Sequence, residues 1–311
     1  MSKTDSPSVF RLGTRGSALA LWQANWTQTT LEASLDGTRI DIVRIKTTGD
    51  RIQDVPLAEV GGKGLFTKEL DQALFDDRID MAVHSLKDLP FELPEGIVLS
   101  AIGEREDPRD ALVSDHRSLA DMPEGARIGT SSLRRGSQLR ARFPGLDVVM
   151  LRGNVDTRLR KLDEGEFDGI ILAAAGLKRL GFGDRITELI APDVMLPAIG
   201  QGALAFVCRE ADASARDALQ VVNHPDTHSA VTSERALMAS LEGSCQVPVA
   251  GYAQVEDGTI RLRGLIAALD GSRIVADQIS GSTEDAASLG TELGVRLRAA
   301  GGDAILKEIG H

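Results

Sequence analysis

One loop, LEGSCQVPVA over residues 241–250, places a cysteine where it could react. Cys245 stands between Ser244 and Gln246, and a glycine and a proline restrict the loop on either side. Structural cysteines are usually buried among apolar residues, so polar neighbours favour an accessible thiol that can form a covalent bond. A half-exposed cysteine without a role fits this loop, taken alone, equally well.

Arginines occur where strands are predicted to end and helices to begin. In GTSSLRR, a cap from the hydroxyl residues 130–132 precedes Arg134 and Arg135 in the first helical turn. The helix macrodipole disfavours cations there, so converging N–H groups and guanidiniums predict a strong anion site. Three further arginines lie near other predicted strand ends: Arg15, Arg152 and Arg158. A ligand with several carboxylates explains this distribution, and solvated surface arginines are the alternative.

The turns at Gly13-Thr14 and Gly129-Thr130 occupy equivalent strand-to-helix positions in two α/β halves. Ligands of this protein class bind at the carboxyl ends of parallel strands, where such turns collect. Asp88, beside Lys87, also follows a predicted strand, at residues 79–83. A solvent-facing aspartate is the ordinary interpretation, but an acid or base group would act from the same position.

Other patterns point to no further chemistry. The sequence GQGALA at 200–205 has the form of a dinucleotide fingerprint, but an apolar strand follows it where a helix is required. His224 and His228 are four residues apart, yet Pro225 interrupts the helix and no third ligand is evident, so we expect no metal.

The composition is typical of a globular protein that does not bind nucleic acid. The 311 residues carry a formal net charge of −11 and include two Trp and one Tyr. Two cysteines are too few for a disulfide framework, and Cys208, in an apolar run, is predicted to be a core residue. With no apolar run of about 18 residues and no secretory signal, we expect a cytoplasmic protein that does not enter a membrane.

Strands alternate with helices through the first two thirds of the chain, the pattern of parallel or mixed α/β sheets. The charged residues 104–110 and the segment 191–202 predict two crossings between domains. Beyond about residue 225, the hairpin signals Asp257-Gly258 and Asp270-Gly271 and a leucine-spaced closing helix predict a small α+β domain. We therefore predict three domains: residues 1–104 with 203–222, residues 108–198, and residues 225–311 carrying Cys245.

The polar, glycine-rich segment 48–64 is long for a connection between a strand and a helix. Such segments are often lids over a ligand site, and a surface loop without a role is the alternative.

Nine sequence blocks in this order resemble the hydroxymethylbilane synthase (porphobilinogen deaminase) family across essentially the whole chain. They are GTRGSALALWQ (13–23), GGKGLFTKEL (61–70), VHSLKDLP (83–90), EREDPRDA (104–111), GTSSLRR (129–135), LRGNVDTRL (151–159), GLKRLG (176–181), LPAIGQGAL (196–204) and EGSCQVP (242–248).

The resemblance implies two periplasmic-binding-protein-like α/β domains with parallel or mixed sheets, joined by two crossovers, and a small C-terminal α+β domain. It implies a transferase of tetrapyrrole (porphyrin and heme) biosynthesis that deaminates porphobilinogen and joins four units head to tail into hydroxymethylbilane, releasing ammonia. A covalent dipyrromethane cofactor, attached through a thioether at Cys245, would serve as primer. A monomer that acts on a small molecule is expected.

The same resemblance assigns roles to individual residues. The catalytic carboxylate would be Asp88. The cofactor's acidic groups would be bound by Lys87, Thr130, Ser132, Arg134, Arg135 and Arg158. The incoming substrate would be bound by Arg15, Ser17, Gln23, Arg152 and Arg179.

The sequence departs from the family pattern at two positions. Ser244 replaces a common second glycine, which changes the loop's conformational freedom, and Glu59 replaces a lysine found in some relatives, so it receives no substrate role. A non-catalytic two-lobed protein that binds a polycarboxylate is the competing function. It would need no reactive thiol and would normally carry an export signal.

Overall fold

The computed structural model describes residues 8–51, 64–116, 118–241 and 247–309. Residues 52–63, most of the predicted lid segment, and residues 242–246, which include Cys245, lie outside the described residues. The lid and the attachment site therefore stay predictions.

Thirteen strands are described: β1 Ser8–Thr14, β2 Thr38–Arg44, β3 Met81–Ser85, β4 Ile97–Ile102, β5 Asp110–Ser114, β6 Arg127–Gly129, β7 Asp147–Val149, β8 Gly169–Ala173, β9 Glu188–Ile190, β10 Leu204–Arg209, β11 Val249–Glu256, β12 Thr259–Ala267 and β13 Ile274–Ser282.

The described α-helices are α1 Ala18–Ser34, α2 Thr48–Arg51, α3 Lys68–Phe75, α4 Leu133–Arg142, α5 Val155–Asp163, α6 Ala174–Arg179, α7 Ala213–Leu219, α8 Pro225–Ser240, α9 Ala286–Leu297 and α10 Asp303–Glu308. A 3₁₀ turn, Leu86–Asp88, follows β3 directly. Within the described ranges, no helix is long and apolar enough to cross a membrane.

The described residues divide into two compact units. The first contains residues 8–51, 64–105 and 203–228 and one five-stranded sheet in the order β2-β1-β3-β10-β4. β1 is parallel to β2 and β3, whereas β10, which comes from much later in the chain, is antiparallel to β3 and β4. The core on this sheet includes Leu12, Ile40, Phe206 and the buried Cys208, as the sequence predicts for that cysteine.

The second unit contains the described residues between 106 and 202 and from 229 to 309. Its five-stranded sheet, β7-β6-β8-β5-β9, repeats the arrangement of the first: β6 is parallel to β7 and β8, and β5 is antiparallel to β8 and β9. Because β1 and β6 each lie at the centre of three parallel strands, the turns that follow them are equivalent, as predicted. Ligands of open α/β sheets bind at such positions.

A three-stranded antiparallel sheet, β11-β12-β13, completes the second unit. Asp257 and Gly258, both with positive φ, form its first hairpin turn. One face of this sheet packs on the closing helix α9 through the buried Leu289, Leu293 and Leu297. The fold class is therefore confirmed: two mixed α/β sheets and a small α+β part.

A continuous apolar run such as 169–175 is typical of one buried strand, but this run contains two elements, because α6 begins at Ala174 immediately after β8. The predicted boundaries of one strand were wrong. β3 begins and ends two residues later than the predicted strand 79–83, since pairing with β10 extends it through Ser85. The three-domain division at 1–104 with 203–222, 108–198 and 225–311 stays a prediction.

Candidate active site

In each five-stranded sheet, the middle one of the three parallel strands, β1 or β6, has a closely packed glycine at or next to its last residue, before the turn toward a helix. A Cβ atom on Gly13 would lie 2.3 Å from Ile79 Cδ1, and one on Gly129 would lie 2.9 Å from Phe167 Cδ1. A side chain at either position would force its neighbours to move. These glycines let neighbouring side chains pack directly against the carboxyl end of the sheet, where the predicted ligand residues follow.

In the first unit, the turn after β1 and the helix α1 carry three predicted substrate residues. Ser17 caps α1 and accepts a hydrogen bond from the Ala20 N–H at 3.3 Å. The Arg15 guanidinium lies over the Phe66 ring, 4.1 Å from its centroid, a cation–π contact that orients the side chain. Gln23 faces inward from α1 and is 2% exposed.

The Gln23 amide donates a hydrogen bond to Ser85 Oγ at 2.7 Å. This bond joins α1 to the carboxyl end of β3 within the first unit. The structure therefore places Gln23 beside the strand that leads to Asp88, and its predicted contact with substrate stays a prediction.

The 3₁₀ turn after β3 presents Lys87 and Asp88. The side chains of Leu86 and Leu89 are buried on either side of the pair, and the Leu86 N–H donates to the Ala203 carbonyl at 3.0 Å. These anchors leave Lys87 and Asp88 half-buried at the end of the sheet. Among the described residues, the Asp88 carboxylate has no hydrogen-bond or ion-pair partner, so its oxygens are available to a ligand.

His84, in β3, is a titratable group that sequence reasoning did not select. It is 5% exposed, and its Nε2 atom has no hydrogen-bond partner among the described residues. Burial, together with the nearby charge of Arg15, lowers the pKa of His84 to about 4. A neutral imidazole therefore lies below the turn that carries Asp88.

In the second unit, Arg134 and Arg135 are held by one buried carboxylate. Ser132 caps α4, as predicted, accepting from the Arg135 N–H. Arg134 Nη1 donates to Asp110 Oδ2 at 2.7 Å, and Arg135 Nε donates to Asp110 Oδ1 at 2.9 Å. Asp110 is fully buried, Arg134 is 5% exposed and Arg135 is 6% exposed. The two arginines are therefore not solvated surface residues.

The charges of this cluster depend on one another. Burial alone would raise the pKa of the Asp110 carboxyl, but Arg134 and Arg135 outweigh burial and hold that pKa well below its usual range. The carboxylate is therefore ionised, and the cluster of two guanidiniums and one carboxylate carries one excess positive charge.

Two glutamines complete the cluster, and sequence reasoning missed them together with Asp110. Gln138 Nε2 donates to the Leu196 carbonyl at 3.1 Å, and Gln201 Nε2 donates to Asp110 Oδ1 at 2.9 Å. Both glutamines are buried. For two of the three residues the available signal was their place in the sequence blocks: Asp110 belongs to EREDPRDA and Gln201 to LPAIGQGAL, whereas Gln138 lies in none of the blocks.

The cluster has the properties that a carboxylate ligand requires. Besides the excess charge, Arg134 has a buried Nε donor with no hydrogen-bond partner in the described part of the chain. A buried donor without a partner is costly, and a charge-assisted bond to an anion would satisfy it. The residues therefore fit a cofactor that carries acetate and propionate groups.

The remaining predicted ligand residues lie around the same sheet edge. Thr130 is buried, and its Oγ1 accepts a hydrogen bond from the Ser132 N–H at 3.2 Å. Arg158 Nε donates to the Gly153 carbonyl at 2.8 Å, and Arg179 Nη2 donates to the Gly202 carbonyl at 2.7 Å.

Arg152 has a buried Nη1 atom that lacks a partner among the described residues. Within those residues, no group of three or more His, Cys, Asp and Glu side chains is placed to hold a metal ion.

Comparison with known proteins covers nearly the whole chain. The family model described as porphobilinogen deaminase, dipyromethane cofactor binding domain, matches residues 10–217, and that described as porphobilinogen deaminase, C-terminal domain, matches residues 228–299. The porphobilinogen deaminase of Trichlorobacter lovleyi is 55% identical over 98% of this chain and 97% of its own length. That of Geobacter sulfurreducens is 54% identical over 96% of this chain and 94% of its own.

Similarity to solved structures is much weaker. The periplasmic VFT2 domain of BvgS from Bordetella pertussis is 14% identical, covers 70% of this chain and 87% of its own, and aligns with a TM-score of 0.40. The sequence match to the family, in contrast, includes both the β3 turn with Asp88 and the Asp110 cluster. The chain belongs to the porphobilinogen deaminase family.

Proposed function

We propose that this chain is a hydroxymethylbilane synthase, a transferase of tetrapyrrole biosynthesis. It joins four porphobilinogen molecules head to tail and hydrolyses the finished chain from the enzyme, releasing four molecules of ammonia and the linear hydroxymethylbilane. The observation that carries this proposal is the buried Asp110 cluster, with its excess positive charge and unused donor, in a chain that belongs to this family.

A dipyrromethane bound through a thioether at Cys245 supplies the primer to which substrate units are joined. Arg134 and Arg135 would hold one of its carboxylates, since the cluster they form needs a further negative charge. The other residues proposed to hold its acidic groups are Lys87, Thr130, Ser132 and Arg158.

Arg15, Ser17, Gln23, Arg152 and Arg179 are proposed to bind the acetate and propionate groups of incoming porphobilinogen. The contact of Arg15 with Phe66 supports this role, because an arginine that is already oriented loses less conformational entropy when it binds a carboxylate.

Asp88 is the proposed catalytic carboxylate. Its 3₁₀ turn holds it at the end of β3, half-buried and without a protein partner in the described residues. It would accept hydrogen bonds from pyrrole N–H groups and stabilise the positive charge that develops as ammonia leaves the substrate. It would also take up the proton that is lost when the new ring regains aromaticity.

We further propose that the protein acts in the cytoplasm as a monomer with three domains. The strongly negative net charge supports solubility without a partner. A non-catalytic polycarboxylate-binding protein is not favoured, because the family assignment extends over the C-terminal part that contains Cys245.

Two measurements test the proposed function. The intact mass of the purified protein should exceed the sequence mass by two pyrrole units, and peptide mapping should locate them on Cys245. An unmodified protein with full activity would contradict the cofactor assignment.

The second measurement is single-turnover ammonia release from cofactor-loaded Asp88→Asn. This change keeps the shape of the side chain and removes its charge, so loading should survive while the chemical step slows by about 10²–10⁴-fold. Asp88→Glu keeps the charge and should retain more activity than the amide. Ammonia release by Asp88→Asn at the parent rate would remove Asp88 from the mechanism.

A further inference from the structure

The GQG sequence at residues 200–202 has no role in the proposed function, yet the structure holds this segment by several buried bonds. The N–H of its first glycine donates to Glu234 Oε2 at 2.7 Å. The Gln201 side chain, 1% exposed, donates from Nε2 to the Pro108 carbonyl at 2.7 Å and to Asp110 Oδ1 at 2.9 Å. Gln201 is therefore built into the cluster that holds the two arginines.

The Asp110 carboxylate accepts four side-chain hydrogen bonds from three residues. Oδ1 accepts from Gln201 and from both arginines, and Oδ2 accepts from Arg134 Nη1. Among the described residues, Arg134 and Arg135 both form their ion pairs with Asp110. One carboxylate is thus shared between two buried guanidiniums, which leaves one positive charge and the Arg134 Nε donor for another anion.

The residue type at position 201 decides this charge balance. The side chain faces two acceptors, the Pro108 carbonyl and Asp110 Oδ1, so it must donate two hydrogen bonds. A glutamine amide does so without charge. A glutamate would lack those donors and, once ionised, would cancel the excess positive charge of the cluster.

We propose that Gln201 is a positioning residue that holds Asp110 through a neutral donor and so keeps one positive charge of the arginine pair available to a ligand carboxylate. This inference rests on the proposed function, in which that carboxylate belongs to the cofactor. In this role Gln201 acts through Asp110, because its Nε2 group donates to the Asp110 carboxylate and to the Pro108 carbonyl.

The test compares Gln201→Glu with Gln201→Met in protein prepared without cofactor. Each variant is titrated with porphobilinogen at pH 8, and the concentration that gives half-maximal covalent loading is measured by intact mass. Gln201→Glu should raise this concentration about tenfold or more, because the ionised glutamate cancels the excess positive charge of the arginine cluster that binds the ligand carboxylate. Gln201→Met removes both hydrogen bonds but keeps the excess charge, so it should raise the concentration less. An equal or larger effect of Gln201→Met would reduce Gln201 to a packing residue and overturn the proposal.

Asp110→Asn changes the charge of the cluster in the direction opposite to Gln201→Glu. It therefore tests the proposal even if Gln201→Glu does not fold. It raises the excess from one to two positive charges, so the melting temperature without cofactor should fall and the gain in melting temperature on loading should exceed that of the parent. A gain equal to or smaller than the parent's would overturn the proposal. Failure of the proposed function is recognised separately, because the parent protein itself would then take up no pyrrole mass.

Discussion

Two buried groups in the first unit should make the free energy of unfolding depend on pH in opposite directions. The two effects should nearly cancel. Burial lowers the pKa of His84 from 6.5 to about 4. Burial also raises the pKa of Asp71, in α3, from 3.8 to about 6, aided by the charge of Glu69. Asp71 is 7% exposed and His84 is 5% exposed, so solvent screens neither strongly.

The direction in which stability changes with pH depends on whether the folded or the unfolded chain binds the proton. As pH falls below 6.5, the unfolded chain protonates His84 while the folded protein does not, so stability is lost between pH 6.5 and about 4. As pH rises above 3.8, the unfolded chain ionises Asp71 while the folded protein keeps its proton, so stability is lost between pH 3.8 and about 6. Each difference in pKa corresponds to about 3 kcal/mol over its pH range.

Two single variants, His84→Leu and Asp71→Asn, and the double variant separate the two effects. Relative to the parent, His84→Leu should become less stable by about 3 kcal/mol as pH rises from 4 to 6.5, and Asp71→Asn should become more stable by a similar amount. The double variant should follow the parent, because all other titrating groups are common to the four proteins.

Urea unfolding between pH 4 and 7, followed by tryptophan fluorescence, measures these slopes. Trp22 and Trp26, the two tryptophans of the chain, both lie in α1 and so report on the unit that contains His84 and Asp71. Comparing slopes removes any pH-independent cost of each substitution. If the stability of each single variant ran parallel to that of the parent across this range, His84 and Asp71 would not have the shifted pKa values.

Two further predictions concern packing and the cysteines. A Cβ on Gly290 would lie 2.1 Å from the Ser233 carbonyl oxygen, so Gly290→Ala should lower the free energy of unfolding by about 1–3 kcal/mol. Gly183→Ala, with open space at that position, should change it by less than about 0.5 kcal/mol. Both variants lie in the second unit, so their urea unfolding is followed by far-UV circular dichroism; equal effects would show that the close approach in α9 is relieved at no cost. Because Cys208 is fully buried and burial raises the pKa of its thiol, iodoacetamide should alkylate Cys208 only after unfolding, and peptide mapping should find Cys245 unlabelled in active enzyme even then; alkylated Cys245 in that sample would exclude the thioether.

Local features were predictable from the sequence because short-range contacts determine them. The cap at Ser132, the hairpin turn at Asp257-Gly258 and the leucine spacing of α9 all depend on neighbours a few residues away. The sequence also indicated an anion site at the start of α4, since two arginines in the first turn of a helix require a negative partner.

Which groups those arginines contact depends on the tertiary fold. Asp110 lies 24 residues before Arg134 and 91 residues before Gln201, and no periodic pattern connects them. They come together because β5 enters the second sheet antiparallel to β8 and places Asp110 opposite Ala173. The strand order of a sheet depends on the packing of distant segments, and a buried charge takes its partner from whatever that packing brings within hydrogen-bond distance. The sequence therefore determined that an anion site exists, and the fold determined its net charge.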